Sequence, residues 1–582
     1  MYCESQAGRA ICKQERAAAS CDASCQKKFK NYSSFIQRFV RFDTYDGLMP
    51  VTISTIHNVG LEGRMIQVEI DISAGLPSCT IVGLADTAVL EARERIRSAI
   101  KNSGYVFPPT RKTISLAPAD VKKHGPAFDL AMAVGLLAAS KQLSLGNFQG
   151  VLLGELSLSG EVRGVPGIIP LLLSAKKHGV TQIIIPEENA REASIIEGLD
   201  IRVVSTLCET VNGLSGKEPL RVISRESQLA GVSSSGTPTQ DLSDPFAGIV
   251  GQEKAKQAIA IAAAGHHHIL LSGPPGVGKS LLAHAISQLL PPLSSDEFLE
   301  VASLHSLRGI NLLDTLSQPT ARTSTLHHQP RPVREIHHTS SLAAIIGGTS
   351  ELLPGEISLA HRGVLVLDEI SEFPHDRIES LRQPIENGTI TLTRASGSVT
   401  YPCKFLMLAT TNPCPCGFLG DPKIPCRCTQ GAIRIYNRRI SGPIHDRIDL
   451  KVTMEPINKK EVVYGSRTFP EISSTDSILS QIALARARQR ARYTNTPFTT
   501  NADLTAETIF QYCHLDALAK KALTAAATKL NLSARAIHRT IKIARTIADM
   551  EIPQRSEGML PAPVPAPDII HISHITQALQ YR

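Results

Sequence analysis

From residue 51 apolar and polar positions alternate, Val51-Thr52-Ile53-Ser54-Thr55-Ile56 and then Ile66-Gln67-Val68-Glu69-Ile70, the period of half-buried strands. The period then lengthens. Residues 88–100 space their apolar side chains as a charged amphipathic helix does, and residues 131–139, small and apolar throughout, predict a buried helix. Ile183-Ile184-Ile185 reads as a buried strand stopped by Pro186. Strands and helices interleaved over 49–225 predict an α+β domain. Residues 226–244, rich in Ser, Gly, Thr, Gln and Asp, carry no period and read as a linker.

A second α/β region spans 245–455. Its apolar runs are Ile269-Leu270-Leu271, Val364-Leu365-Val366-Leu367 and Phe405-Leu406-Met407-Leu408-Ala409-Thr410-Thr411. Residues 389–400 alternate around Ser396-Gly397 and predict a hairpin with Arg394 at its tip. The remainder, 456–582, is helical: helices are predicted over 482–493, 515–530 and 533–550, with a last short one after Pro561-Ala562-Pro563-Val564-Pro565. It reads as a lid on the region before it. Residues 1–48 are polar and lack a period, so they form either a flexible tail or an extension ahead of a start at Met49.

At 582 residues the chain is too long for one core, and two to four domains are expected. No apolar run approaches the roughly 20 residues that cross a bilayer, and the leading segment lacks a secretory h-region. A cytoplasmic protein without a membrane partner is expected. Twelve cysteines in such a chain point to metal ligation or packing before disulfides. The net charge of +8 permits a polyanionic partner without demanding one, while the absence of Trp and 4% aromatic content argue against base stacking as the main contact.

Directly after Ile269-Leu270-Leu271 stand Gly273-Pro274-Pro275-Gly276-Val277-Gly278-Lys279-Ser280. Strand, glycine-rich loop and helix start in this order cradle phosphate. Glycines let backbone N–H groups close on the oxygens, Lys279 offsets β- and γ-phosphate charge, and Ser280 can ligate Mg²⁺. ATP and Mg²⁺ are the expected cofactors. Val364–Leu367 delivers Asp368 and Glu369 at its carboxyl end, where a parallel sheet places ligands. One carboxylate, Asp368, can hold Mg²⁺ through water; its neighbour Glu369 can orient or deprotonate an attacking water. The next strand ends at Asn412, the position of a polar γ-phosphate sensor, or more plainly of a turn residue before Pro413. Arg447, in Asp446-Arg447-Ile448-Asp449-Leu450, and Arg535, in Ser533-Ala534-Arg535, are candidates for matching charge on phosphoryl oxygens, from this subunit or a neighbour. Either can instead be a surface ion pair.

Longer segments now carry a resemblance. They are Gly83-Leu84-Ala85-Asp86 with Arg97-Ser98-Ala99-Ile100, Leu116-Ala117-Pro118-Ala119-Asp120, Gly355-Glu356-Ile357-Ser358-Leu359-Ala360-His361, Asn412-Pro413-Cys414-Pro415-Cys416-Gly417, Ile440-Ser441-Gly442-Pro443 and Ala578-Leu579-Gln580-Tyr581-Arg582. Through them the chain resembles, from about residue 50 to its end, the magnesium-chelatase-like AAA+ ATPases of the ComM (YifB) type. The resemblance implies an AAA+ P-loop core with a parallel sheet, a C-terminal helical lid and a ring-forming, hexameric ATPase. It makes Lys279 and Ser280 Walker A, Asp368 and Glu369 Walker B, Asn412 sensor 1, Arg447 an arginine finger acting in trans, and Arg535 sensor 2; Arg438 and Arg439 are alternative fingers. It further implies a DNA helicase driving branch migration when transformed strands recombine with the chromosome. In related ring helicases such a hairpin enters the central channel, where Arg394 would follow a phosphate backbone. Residues 300–355, with Arg331-Pro332-Val333-Arg334 and His337-His338, resemble the helix-2 insert of that clade, a candidate second channel loop.

Cys414-Pro415-Cys416 and Cys426-Arg427-Cys428, nine residues apart, supply four sulfurs suited to tetrahedral structural Zn²⁺, with packing cysteines the alternative. His337-His338 and His266-His267-His268 read as loop rather than metal sites. Residues 115–190 also resemble the proteolytic domain of Lon, an S5-like fold, through Gly125-Pro126, Gly154-Glu155-Leu156, Gly160-Glu161-Val162 and 184–189. Where that family's serine follows Gly-Pro this chain has Ala127, and near its lysine position Ile168-Ile169-Pro170 offers no amine. Without a nucleophile the domain is expected to bind or couple rather than cleave. Two rival readings remain: a chelatase-type motor that remodels a metalloenzyme, weakened by the lack of an integrin-like domain after the lid, and a nucleotide switch, weakened by Glu369 and the arginines.

Overall fold

The computed structural model describes residues 50–84, 86–223, 245–246, 249–313, 330–348, 351–394, 397–421, 424–440, 442–456, 475–552 and 569–582. The leading segment with Met49, the linker 226–244, the hairpin residue Ser396 and the Pro-rich turn 561–565 lie outside them.

The first alternation folds on itself. β1 (Val51–Val59) pairs antiparallel with β2 (Glu62–Ser73) in the register Val51↔Ile70 to Val59↔Glu62. They sit in an eight-stranded mixed sheet with β3 (Ser78–Val82), β4 (Arg111–Ala117), β5 (Val151–Leu152), β8 (Gln182–Pro186), β9 (Asp200–Val204) and β10 (Arg221–Val222), in the order β10-β9-β8-β5-β1-β2-β4-β3. A small pair, β6 (Glu155–Leu156) and β7 (Val162–Arg163), stands apart. Ile66, Val68, Ile70 and Ile72 turn to one face and meet the helices Thr87–Asn102 and Asp129–Ala139. The latter packs so closely that a Cβ on Gly135 would lie 2.4 Å from Ile70 Cδ1. That contact explains its small residues.

The second sheet has five strands: β11 (Ile269–Ser272), β12 (Val333–Ile336), β13 (Val364–Leu367), β16 (Leu406–Thr411) and β17 (Leu450–Thr453), all parallel, in the order β12-β13-β16-β11-β17. Alternate side chains enter opposite cores. Ile269, Leu271, Val364, Val366, Leu406 and Leu408 face the helices Glu253–Gly265 and Lys279–Leu289 and the carboxyl-terminal helices; Leu270, Leu365, Leu367, Met407 and Ala409 face the other side. Burial of both faces is why these strands read as unbroken apolar runs.

Between β13 and β16 runs the hairpin β14 (Thr389–Arg394) and β15 (Gly397–Pro402). Val333–Ile336, read from sequence as part of an insert, is instead an edge strand. Arg334 within the strand and Arg331 before it face carboxylates of their own chain rather than a channel, with Arg331 2.9 Å from Glu297 and Arg334 2.6 Å from Glu356. A half-buried guanidinium requires such a partner.

The helices Thr475–Arg492, Ala517–Lys529, Ala534–Met550 and Ile572–Leu579 share the core of the parallel sheet, while β18 (His514–Leu515) pairs with β19 (Ile569–Ile570). Buried Asp549 ties the helix Thr475–Arg492 and the Asn501 turn to its own helix, Ala534–Met550, by accepting from Arg492, Arg545 and Asn501. His267 joins them to the sheet, facing Asp449 through Nδ1 and Thr546 through Nε2. The amino-terminal helix Ile168–Lys177 docks on the helix Ser295–Leu307, with Gly167 N–H donating to Ser306 O at 2.8 Å. The Ile168-Ile169-Pro170 stretch is thereby covered.

Candidate active site

The loop 273–278 leaves β11 and the helix Lys279–Leu289 follows at once, with Gly278 as its left-handed N-cap (φ 92°). Gly276 is also left-handed (φ 78°), and a Cβ on either would meet nothing within 4 Å. Backbone conformation, not crowding, therefore selects glycine here, and the amide groups of the first helical turn remain free for phosphate. Lys279 is half-buried. Its Nζ donates to Gly273 O (2.6 Å), Pro274 O (2.9 Å) and Asn412 Oδ1 (2.9 Å). Burial lowers its pKa below the ordinary lysine value, against the opposing pull of Asp368 and Glu369. Ser280 is exposed on the first helical turn.

β13 and β16 are neighbours, so Asp368, Glu369 and Asn412 emerge side by side. Thr410 bridges the two acidic residues: its Oγ1 donates to Asp368 Oδ1 at 2.5 Å and accepts from Glu369 N–H at 3.0 Å. Glu369 has a left-handed backbone (φ 52°, ψ 51°), an unfavourable conformation for glutamate that turns its carboxylate into solvent beside the loop. Thr410 escaped the sequence reading. Its signal was a polar Thr-Thr pair closing an otherwise apolar strand.

Arg447 and Arg535 do not join this group. Both meet at Glu386, Arg447 through a direct Nη2 contact and Arg535 at 3.7 Å. They line a cleft of about 770 Å³ together with His268, Phe405 and Asp449. Those three residues precede β11, β16 and β17, so the cleft opens at the amino ends of strands whose carboxyl ends carry the loop and carboxylates. A four-residue strand spans about 13 Å. Neither arginine is therefore placed to reach a phosphate held in its own loop. Arg439 bonds Ser371 O and Glu372, nearer the carboxylate edge. Glu386 offered no sequence signal, since a lone charge on a short helix reads as solvated.

Asn412 leads into the cysteines. The Sγ atoms of Cys414, Cys416 and Cys426 are 3.4–3.6 Å apart, and with Cys428 all four lie within 4.8 Å of one another. Sulfurs around tetrahedral zinc, with Zn–S bonds of about 2.3 Å, stand about 3.8 Å apart, whereas a disulfide needs about 2.05 Å. The spacing fits the metal. The backbone N–H groups of Phe418 and Arg427 lower the Cys416 thiol to about 6. Gly417 rests on the phosphate loop, where an added Cβ would lie 2.8 Å from Pro275 Cδ.

Comparison with known proteins agrees with this geometry. A family model described as magnesium chelatase, subunit ChlI, matches residues 245–462; a second for the same subunit matches 68–189, and one for its carboxyl-terminal part 472–558. YifB of Salmonella typhimurium is 39% identical over 537 residues, covering 91% of this chain and 97% of that protein. Competence protein ComM of Haemophilus influenzae is 36% identical over 528 residues, covering 90% and 96%. The chain belongs to the magnesium-chelatase-like AAA+ family of the ComM and YifB type. A shorter stretch of 173 residues is 28% identical to Lon protease 2 of Bacillus subtilis, covering 27% of this chain and 31% of that protein.

Two further features of this family member lie outside the loop. Arg394 is exposed at the described end of the hairpin, with Nε donating to Gly348 O at 3.1 Å. On the other hairpin strand Val399 touches the β1–β2 turn, where a Cβ on Gly60 would lie 2.3 Å from Val399 Cγ1. Among the described residues no helix is long and apolar enough to cross a membrane.

Proposed function

We propose that this chain is one protomer of an ATP-driven ring motor acting on DNA, a helicase that promotes branch migration during recombination of transformed DNA. ATP binds along Gly273, Pro274, Pro275, Gly276, Val277 and Gly278 with Lys279 against its β- and γ-phosphates. Ser280 and Asp368 hold Mg²⁺, which neutralises phosphate charge; Glu369 orients the attacking water and takes its proton. Asn412 senses the γ-phosphate through Lys279. Residues 49–225 form an S5/Lon-like coupling domain without the protease dyad, and 456–582 a helical lid.

The observation that carries this reading is the division of one site between two edges of one sheet. Lys279, Asp368, Glu369 and Asn412 occupy the carboxyl edge, and Arg447 and Arg535 the amino edge. The arginines then complete a neighbour's site, Arg447 as a finger in trans and Arg535 as sensor 2. A closed homo-oligomeric ring, a hexamer in our reading, lets every carboxyl edge meet an amino edge. Arg394 on the hairpin follows the DNA backbone. The name of the competence-protein relative supports DNA as the partner, and the chelatase matches support the second reading, a motor that remodels a metalloenzyme.

ATP hydrolysis with and without single-stranded and forked DNA tests the choice. Stimulation by DNA, lost in Lys279→Ala, is the expected result. A rate indifferent to DNA but raised by a metalloenzyme partner would replace the helicase reading, and hydrolysis surviving Lys279→Ala would move the site elsewhere. The sulfur spacing supports a structural Zn²⁺ on Cys414, Cys416, Cys426 and Cys428, which leaves no open position for catalysis.

A further inference from the structure

We infer that Glu386 is a positioning residue: it holds Arg447 and Arg535 when no phosphate engages them, and passes their release to the hairpin 389–402. The inference rests on the proposed trans role of the two arginines.

Arg447 is nearly enclosed, its side chain 8% exposed. Nη2 contacts Glu386 Oε1, Nη1 donates to Pro443 O at 2.5 Å, and Nε is buried with no hydrogen-bond partner among the described residues. A guanidinium offers five donors and seeks planar, bidentate acceptors. Here one carboxylate oxygen serves two arginines, since Arg535 Nη2 lies 3.7 Å from the same Oε1. Of the other acids of the cleft, Asp449 faces His267 and Asp503 accepts from Thr499 and Thr500, while Asp446 forms no ion pair with either arginine among the described residues. Arg539 and Lys542 add cationic character to the opening. A triphosphate edge brought there by a second copy carries more charge and more acceptor oxygens than Glu386, and so competes for both arginines.

What Glu386 is attached to gives this exchange a consequence. It sits on the helix Arg382–Asn387, which Gly388 ends in a left-handed cap (φ 64°), its N–H donating to Pro384 O at 2.9 Å. Gly388 O in turn accepts from Cys403 N–H at 2.8 Å, closing the hairpin base where Thr389 pairs with Pro402. Helix and hairpin base therefore form one hydrogen-bonded piece with no slack between them. The hairpin's outgoing strand continues through Cys403, Lys404 and Phe405 into β16, which Asn412 directly follows. The hairpin thus stands between a carboxylate that answers to the neighbour's nucleotide and an asparagine that touches this protomer's own loop.

The chain contains no tryptophan, so Ser398→Trp, at an exposed position of β15, provides a single emitter in the full-length protein. A non-hydrolysable ATP analogue is expected to shift its emission. Glu386→Gln in that background should abolish most of the shift while binding of a fluorescent ATP analogue is retained; Glu386→Asp should restore part of it. Arg535→Gln, at a side chain 65% exposed and so neutral for folding, should also diminish it. A full shift in Glu386→Gln, or none in the nucleotide-bound Ser398→Trp parent, overturns the inference. A parent that shifts but hydrolyses ATP without regard to DNA leaves the inference standing and removes the DNA reading instead.

Discussion

Lys279 donates from Nζ to Oδ1 of Asn412 at 2.9 Å across a sequence separation of 133 residues. The bond ties the phosphate loop to the end of β16, so the amine proposed to meet a triphosphate and the amide proposed to sense it occupy one network. Different losses follow for the two partners. Lys279→Ala should abolish nucleotide binding, whereas Asn412→Ala should still bind and turn over about 10²-fold more slowly, the scale for a lost donor to developing charge. Equilibrium binding beside phosphate release separates the two, and equal loss of binding in both would contradict the division of roles.

Thr410 is fully buried and serves both carboxylate residues at once. Thr410→Val keeps the shape and removes the hydroxyl, leaving Asp368 without its donor. The expected cost is about 1 kcal/mol of stability, the net worth of a hydrogen bond whose partner is only half-buried, together with slower hydrolysis at saturating ATP. An unchanged melting temperature and rate would show that the bridge has no role.

The lowered pKa of Lys279 has a definite sign in binding. A triphosphate brings negative charge to Nζ and raises that pKa, so the complex holds more protons than the free chain between the two values. ATP affinity should therefore fall as pH rises through this alkaline window, with proton uptake on binding there and none near neutrality. Titration calorimetry in buffers of different ionisation enthalpy reads the proton count; release would reverse the argument.

Zinc removal should be felt at the nucleotide. Purified protein is expected to hold about one zinc per chain, lost in Cys414→Ser and kept in Cys208→Ser, whose thiol is exposed and remote from the cluster. Because Gly417 braces Pro275, the metal-free chain should bind ATP several-fold more weakly than the native one. Metal analysis of the wild type that finds no zinc would end this proposal.

Arg394→Ala should weaken DNA-stimulated turnover and flatten its salt dependence, since it would remove the proposed phosphate contact. Basal hydrolysis should persist, as Arg394 touches Gly348 rather than the loop. Stimulation equal to wild type would exclude the hairpin from the DNA path.

Much of this was legible in order along the chain. The glycine spacing of 273–280 reports a local backbone requirement, and the unbroken runs at 269, 364 and 406 report strands buried on both faces, so each signal is complete within a few residues. Val333–Ile336 was harder to read because a four-residue edge strand half-exposes its side chains and loses the apolar run. Glu386 and Thr410 carry no local signature at all.

By itself the sequence determined which groups have the chemistry: an amine, two carboxylates, an amide, two guanidiniums and four thiols, each announced by its neighbours in the chain. Only the tertiary structure decided which of them share a place. Strand order sets Asp368 and Asn412 beside Lys279, and strand direction sends Arg447 to the opposite edge, into the reach of Glu386. Direction and order are properties of hydrogen-bonded ladders between distant segments, and no local pattern of residues encodes them.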